Sequence, residues 1–400
     1  MNIVYVSTYV PRSCGIATFT SDLTRSIAHE TEDPYHVVAM NNVPQGYSYP
    51  PEVCFQIQQN RLGDYRRAAE YINRSDFDVV SVQHEFGIFG GPAGRYLLAL
   101  IGNLKKPVVT TLHTVLKRPT AEYFQSMLNV IQHSERLVIM SEIAKGILEE
   151  VYGVPEDRIS LIYHGVPDVP FTDPDLYKGQ FDVEGRLVIL TFGLIGPNKG
   201  IEKMLEALPP VVAGHPEVLY IVLGATHPEI RRTQGESYRH FLQQKVRDLG
   251  LQDNVVFHDR FVSRQELYRY IMASDIFVTP YRYEEQVVSG TLSYALGMGK
   301  AIVSTPYWYA QEILADGRGI LVPFDDPGAL SQALLGLIED RSLYQAIRER
   351  AYAFGRRMVW GEVAWRYVEL FGEVLERRKD VAERDYESFP RERVPPTTIM

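Results

Sequence analysis

The segment Leu187-Val-Ile-Leu-Thr-Phe-Gly-Leu-Ile-Gly-Pro-Asn-Lys-Gly200, followed by apolar Ile201, Met204, Leu205 and Leu208, decides the fold. Its apolar run, ending at a glycine, reads as a strand buried on both faces, and the spacing after Gly200 reads as an amphipathic helix. A strand that enters a helix through a glycine-rich turn is half of a βαβ unit. The turn sets Lys199 at a helix N-terminus, where unpaired amides and the positive end of the helix dipole favour an anion such as a diphosphate. The spacing is not that of a Walker loop, and the same residues also fit an ordinary strand-to-helix turn with a surface lysine.

Working outward, apolar runs at Leu187–Phe192, Leu219–Leu223, Val255–His258, Ile276–Thr279, Ala301–Ser304 and Ile320–Val322 alternate with helical patterns, which predicts a doubly wound domain over 185–358. A matching series at Ile3–Ser7, Val37–Met40, Val79–Gln83, Val108–Leu112, Leu137–Met140 and Ile159–Tyr163 predicts a first such domain over 1–170. The stretch between Gly165 and Gly185 carries Pro167, Pro170, Pro174 and Gly179 without a sustained period, and reads as the linker. A helical period from Trp360 to Glu376 predicts a closing helix over 359–378 that packs back toward the first domain. The charged segment 379–400 is expected to be a mobile tail. The fold class is therefore α/β, with two Rossmann-like domains facing across a cleft. Open parallel sheets bind ligands outside the carboxyl ends of their strands, so a ligand between the two sheets is expected.

A chain of 400 residues exceeds one ordinary core, in keeping with two domains. The net charge of −9 argues against a nucleic-acid partner, which would need clustered Lys and Arg. Lys105-Lys106 and Lys117-Arg118 leave peripheral membrane contact open, but acidic residues lie on the same half, so a solvated face is the favoured reading. Cys14 and Cys54 are too few for a disulfide framework, which fits a reducing cytoplasm. The run Ile3 to Val6 lacks a basic leader and is too short to span a bilayer, so neither a signal peptide nor a transmembrane segment is expected.

Further chemistry clusters at the predicted strand ends. After Thr279, Glu284-Glu285-Gln286 precedes Ser289-Gly290-Thr291 and a helical run from Leu292 to Met298. Ser289 or Thr291 suits a helix cap and the Gly290 amide suits a phosphate, while a plain capped helix is the competing explanation. Gly193 and Lys199 on the neighbouring loop supply a second anion site on the same rim. In the first domain His84, His113 and His164 each follow a predicted strand, and His113 is placed to hydrogen-bond a donor sugar. A metal cluster of His84, Glu85 and His113 lacks the helical spacing of familiar zinc sites. Asp76-Phe-Asp78 and Asp173-Pro-Asp175 match an Asp-x-Asp metal motif in letters only, one at a strand's amino end and one in the linker, so no metal is expected. After the first strand, Pro11-Arg-Ser-Cys-Gly-Ile-Ala-Thr-Phe19 lacks Gly-x-Gly-x-x-Gly, against a dinucleotide fold. Its Cys14 and Gly15, with His84, are candidates for the acceptor side, and Gly15 serves equally well as a simple turn residue.

These residues resemble glycosyltransferase family 4, the retaining GT-B enzymes, up to about residue 376. Asn198-Lys199-Gly200 is similar to the family's Glu-Lys-Gly loop, Ala295-Leu-Gly-Met-Gly-Lys-Ala301 to its Ala-Met-Ala-Cys-Gly-Lys-Pro stretch, and Gly319-Ile-Leu-Val-Pro323 to the segment that closes its second domain. Thr111-Leu-His113, Ser141 and His164-Gly-Val166 resemble first-domain and linker positions, and the Pro-x-x-Cys-Gly-Ile-Ala-Thr-Phe opening looks like one branch of the family. Where the family has two glutamates that grip the donor sugar and the ribose, this chain has Gln286 and Tyr294, and Leu194 stands where many members have an arginine.

The resemblance implies hexosyl transfer with retention from a nucleotide-diphosphate sugar to a saccharide or lipid-linked acceptor, without a metal or other cofactor. It implies that Gly193, Lys199, Ser289, Gly290 and Thr291 hold the diphosphate, that Gln286, Glu285 and His113 serve the sugar, and that Tyr294 lies on the ribose side. A nucleotide-sugar-binding protein without turnover, and another GT-B enzyme such as an epimerase or phosphorylase, are the competing expectations.

Overall fold

Alternate residues of a strand face opposite sides of its sheet, and in this chain both sides are apolar. In β1 (Ile3–Ser7), Val4 and Val6 join one buried cluster while Ile3 and Tyr5 join another. β8 (Leu187–Phe192) divides in the same way, with Val188 and Leu190 on one face and Ile189 on the other. Each fully buried side chain of this size contributes about 1.5–3 kcal/mol, so both sheets must be covered on both faces by helices.

The computed structural model describes the backbone of residues 1–388 and the side chains of residues 1–380. The first domain adds β2 (Tyr35–Asn41), β3 (Val53–Gln58), β4 (Val79–His84), β5 (Val108–Leu112), β6 (Arg136–Ile139) and β7 (Ile159–Leu161) in the order β3-β2-β1-β4-β5-β6-β7. The second adds β9 (Val218–Leu223), β10 (Val255–His258), β11 (Ile276–Thr279), β12 (Ala301–Ser304) and β13 (Ile320–Leu321) in the order β10-β9-β8-β11-β12-β13. Every pairing is parallel, with Val4 opposite both His36 and Val80, for example. The strand order reverses between β1 and β4 and between β8 and β11, so the loops after those four strands face each other across the cleft.

Three elements differ from the sequence expectation. β3 was not foreseen: Val-Cys-Phe-Gln-Ile-Gln is an edge strand with an exposed Gln56, preceded by Pro50 and Pro51. The segment from Gly165 to Gly185 contains a short helix, Asp175–Lys178. The closing helix spans Trp360–Ser388, past the predicted end at 378, because Glu, Arg, Lys and Ala favour a helix and no Gly or Pro occurs between Gly372 and Pro390. The rest of the segment expected to be a mobile tail, 389–400, lies outside the described residues. This helix packs on the Gly15–Thr31 helix, with Val363, Tyr367, Leu370 and Phe371 in one cluster with Phe19, Leu23 and Ile27.

Candidate active site in the interdomain cleft

Backbone conformation comes first at this site. Gly224, at φ +146°, lies so close to the Gly193 carbonyl oxygen that a Cβ there would stand 1.8 Å from it. Gly200, at φ +61°, precedes the Ile201–Gly214 helix, and its Cβ would stand 1.9 Å from the Pro280 carbonyl. Only glycine satisfies both demands, and together they bring the loops after β8, β9 and β11 against one another. Lys199 is thereby held over the Tyr281 ring, with Nζ 3.8 Å from its centroid. No carboxylate pairs with Lys199 among the described residues, and burial pulls its ammonium down to about 8. The Tyr281 hydroxyl is bonded to Thr291 Oγ1 at 2.8 Å, at the start of the Gly290–Gly297 helix. A half-buried cation, a hydroxyl and a helix N-terminus therefore converge on one spot, which is the chemistry of an anion site.

The cleft has a volume of about 580 Å³. Its first-domain wall includes Gly15, Phe19, Glu85, His113, Thr114 and His164, and its second-domain wall includes Gly193, Lys199, Glu285, Gln286, Gly290, Thr291 and Tyr294. His113 Nε2 is 3.0 Å from Gln83 Oε1 and its ring meets Phe19 edge-on. Burial, with His164 and His84 adding to it, lowers the His113 imidazolium to about 3, so the ring is neutral at physiological pH. With Nε2–H donated to Gln83, Nδ1 is the acceptor left for a hydroxyl. Glu285 receives Arg118 from the first domain, while Gln286 Nε2 donates to the Val288 carbonyl at 2.8 Å. Glu85 accepts from the Thr114 hydroxyl.

Residues 18–168 match the family model Glycosyltransferase Family 4, and residues 186–340 match the model Glycosyl transferases group 1. The chain carries the two domains of a family 4-type glycosyltransferase. The transferase is 28% identical over 313 residues to the phosphatidyl-myo-inositol mannosyltransferase of Mycolicibacterium smegmatis, covering 77% of this chain and 74% of that protein. It is 27% identical over 321 residues to the Mycobacterium tuberculosis protein of the same name, covering 77% and 76%. Among solved structures, a glycosyltransferase from Rickettsia africae superposes with a TM-score of 0.73 at 18% identity, over 94% of this chain and 98% of that one. The Anabaena protein HepE in complex with UDP and glucose gives 0.73 at 16% identity, over 93% and 100%. These likenesses establish the GT-B fold.

The transferase gathers most of the residues singled out in its sequence, and leaves three outside the cleft. His84 is 1% exposed, packed against Phe86 and Phe89 with Nδ1 unpartnered, so it does not reach an acceptor. Cys14 only precedes the Gly15–Thr31 helix, its Sγ 3.7 Å from Thr8 Oγ1, whereas Gly15 beside it borders the cleft. Ser289 is 3% exposed and turns inward as a helix cap, accepting from the Leu292 amide and bonded to Thr291 Oγ1 at 3.1 Å, so its hydroxyl is engaged within the protein and does not border the cleft. Tyr294 does line the cleft, yet its hydroxyl points away and donates to Asp22 Oδ2 of the first domain at 3.2 Å. Asp22 is 2% exposed and also receives Arg264. Sequence reading missed both partners, although a lone carboxylate between Phe19 and Leu23, the one charged group on the buried part of its helix, calls for a cation. Of the Asp-x-Asp matches, Asp78 accepts from the Asn2 amide and Asp173 from the Asp175 amide, and neither lines the cleft.

Proposed function

We propose that the transferase moves a hexosyl group, with retention, from a nucleotide-diphosphate sugar to a hydroxyl of a saccharide or lipid-linked acceptor. The observation that carries this reading is Lys199: a half-buried ammonium with no counter-charge among the described residues, lining the cleft with Thr291 and the N-terminus of the Gly290–Gly297 helix. Such a site stabilises the charge that develops on a departing diphosphate, which supports chemistry without a metal ion. The anomeric carbon–oxygen bond to the phosphate breaks as the acceptor oxygen attacks from the same face, and the acceptor proton passes to the departing phosphate oxygen. Neutral His113, Gln286 and Glu285 border the space where the sugar would lie. Closure of the two domains excludes water and limits hydrolysis.

The mannosyltransferase relatives carry a phosphatidylinositol acceptor in their name, which supports a lipid-linked acceptor here. No helix among the described residues is long and apolar enough to cross a membrane, so contact with such a lipid would be peripheral. The unpaired Cys14 and Cys54 fit a cytoplasmic setting.

Calorimetric titration with UDP, GDP, ADP and their hexose conjugates, with and without EDTA, tests the reading. Selective binding of one nucleotide unaffected by EDTA, together with an α-configured product from an α-configured donor by NMR, is the expected result. Binding without any glycosylated product over a saccharide and lipid panel would favour a nucleotide-sugar-binding protein, and inversion at the anomeric carbon would refute retention.

A further inference from the structure

Glu85 follows β4 as His113 follows β5. The register sets His84 opposite Leu112, and the His113 amide donates to the His84 carbonyl at 2.9 Å, so Glu85 and His113 leave neighbouring strands side by side, about 4.8 Å apart. With Gly15, which follows β1, they form the first-domain floor of the cleft in the strand order β1-β4-β5. The chain beyond Glu85 fixes it there. The Ile88 amide donates to the Glu85 carbonyl at 3.2 Å, and Phe86, Ile88 and Phe89 are buried in the first domain's core. The Gly90 amide donates to the Tyr65 hydroxyl at 2.8 Å, and a Cβ on Gly90 would stand 1.8 Å from the Gln59 carbonyl oxygen.

The Glu85 carboxyl is largely buried, and burial raises it against the opposing pull of the Thr114 hydroxyl and the Gly87 and Phe86 amides. Those partners are all uncharged, whereas Glu285, the other carboxylate that borders the cleft among the described residues, receives Arg118. A buried carboxylate without a cation costs stability, and a ligand that donates hydrogen bonds to it offsets that cost. The diphosphate site lies on the second domain at Lys199 and Thr291, and His113 borders the space of the donor hexose. Glu85 stands one strand further toward Gly15, on the side from which a second sugar would meet the donor.

We propose that Glu85 orients the acceptor: its carboxylate accepts a hydrogen bond from an incoming sugar or polyol, through a hydroxyl next to the one that attacks, or from water when no acceptor is bound. The proposal rests on the transferase reading above. The attacking oxygen still yields its proton to the departing phosphate oxygen, so Glu85 gains none and acts by holding the acceptor in place.

The test compares wild type with Glu85→Gln, which keeps the shape and an acceptor for Thr114 but removes the charge. Calorimetry with the UDP, GDP and ADP hexose conjugates reads donor affinity. Nucleotide release from the conjugate that binds, in water alone and with methyl hexopyranosides or phosphatidylinositol in detergent micelles, reads turnover, and scanning fluorimetry reads stability. Donor affinity within about threefold of wild type, turnover lower by about tenfold or more, and a melting temperature at or above wild type are expected. Turnover within threefold, a matching loss of donor affinity, or a lower melting temperature overturns the role of Glu85 and leaves the transferase reading standing. A wild-type protein that binds no donor, or binds one and releases no nucleotide with any of these acceptors, overturns both.

Discussion

Lys199→Met removes the charge at the anion site while keeping most of the side chain's volume, and two opposite effects are expected from it. In the unliganded protein the ammonium is half-buried over the Tyr281 ring, 3.8 Å away, and burial lowers it from 10.5 to about 8. At pH 7 the folded state holds a charge that the unfolded chain accommodates more cheaply. Full sequestration would make this several kcal/mol, but the side chain keeps part of its surface in the cleft, which leaves about 1 kcal/mol. The variant should therefore melt about 2–4 °C higher than wild type at pH 7. The sign follows from linkage: between pH 8 and 10.5 the unfolded chain binds more protons at this group, so wild-type stability rises there and the variant's advantage disappears. Affinity for the nucleoside diphosphate moves the other way. Losing a charge-assisted hydrogen bond costs about 1.5–3 kcal/mol, or about 10- to 150-fold in the dissociation constant. Wild-type affinity should fall above about pH 8 and the variant's should not. Scanning fluorimetry at pH 7 and pH 10 with calorimetry across pH 6–9 reads both effects. A Lys199→Met protein that binds the nucleotide within threefold of wild type would refute the assignment.

Burial lowers His84, His113 and His164 to about 4, 3 and 4, so each contributes stability that is present above pH 6.5 and is lost as the pH falls toward those values, with a slope of about 1.4 kcal/mol per pH unit apiece. His84→Phe, which keeps the aromatic contacts with Phe86 and Phe89, should flatten the loss by one such increment in urea unfolding at pH 7 and pH 5; an unchanged pH dependence would contradict this. Gly224→Ala drives a methyl into the Gly193 carbonyl, and a loss of about 3 kcal/mol or more is expected in denaturant unfolding, with nucleotide binding lost as well. Glu312→Ala removes the carboxylate that accepts the Glu142 and Ile143 amides across the domain boundary at 2.9 and 3.2 Å; a larger radius of gyration by X-ray scattering and a stability loss of about 1–2 kcal/mol are expected.

Strand ends were legible because their signal is local. Leu187–Phe192 and Val108–Leu112 are rich in apolar and β-branched residues and almost wholly buried, and the loops that follow them are tied to the sheet edge whatever else packs nearby. That placed Lys199, His113, Gln286 and Thr291 at the cleft. Side-chain direction was not legible: Ser289 and Thr291 are equally able to cap or to bind a phosphate in sequence, and only the turn at Ser289 decides that its oxygen faces the Leu292 amide. His84 illustrates the same limit, since the last residue of a strand points to one face of its sheet and here that face is the aromatic cluster. Long-range partners were the least accessible, because the Asp22–Arg264 pair spans 242 positions and exists only once two domains meet. β3 was missed for yet another reason, since an edge strand with polar alternate residues carries little of the apolar signal by which buried strands are found.

The loop Glu284–Ser289 explains why both domains are needed to complete the site. It belongs to the second domain by chain order, yet Val287 packs in the first domain's core cluster, the Ser141 hydroxyl donates to the Val287 carbonyl at 2.8 Å, and Arg118 holds Glu285. Gln286 lies between these anchors and adds its own bond to the Val288 carbonyl, so the sugar-side geometry depends on closure. On the opposite side, the two places where the chain passes between domains are paired with each other. Val166 N donates to the Met358 carbonyl at 2.8 Å and Trp360 N to the Val166 carbonyl at 3.0 Å, with Gly165 set against the Trp360 ring so closely that a Cβ would stand 2.2 Å from it. The two crossings are adjacent and form one connection, while the contacts at the cleft mouth join polar bonds to the buried Val287 side chain. Gly193, Lys199, Gly200 and Gly224 are packed within the second domain, whereas the loop carrying Glu285 and Gln286 is anchored on the first. Under the proposed function, the groups assigned to the diphosphate are carried by the second domain alone, and those assigned to the sugar are completed by contacts with the first, an arrangement in which closure would shield a donor from water.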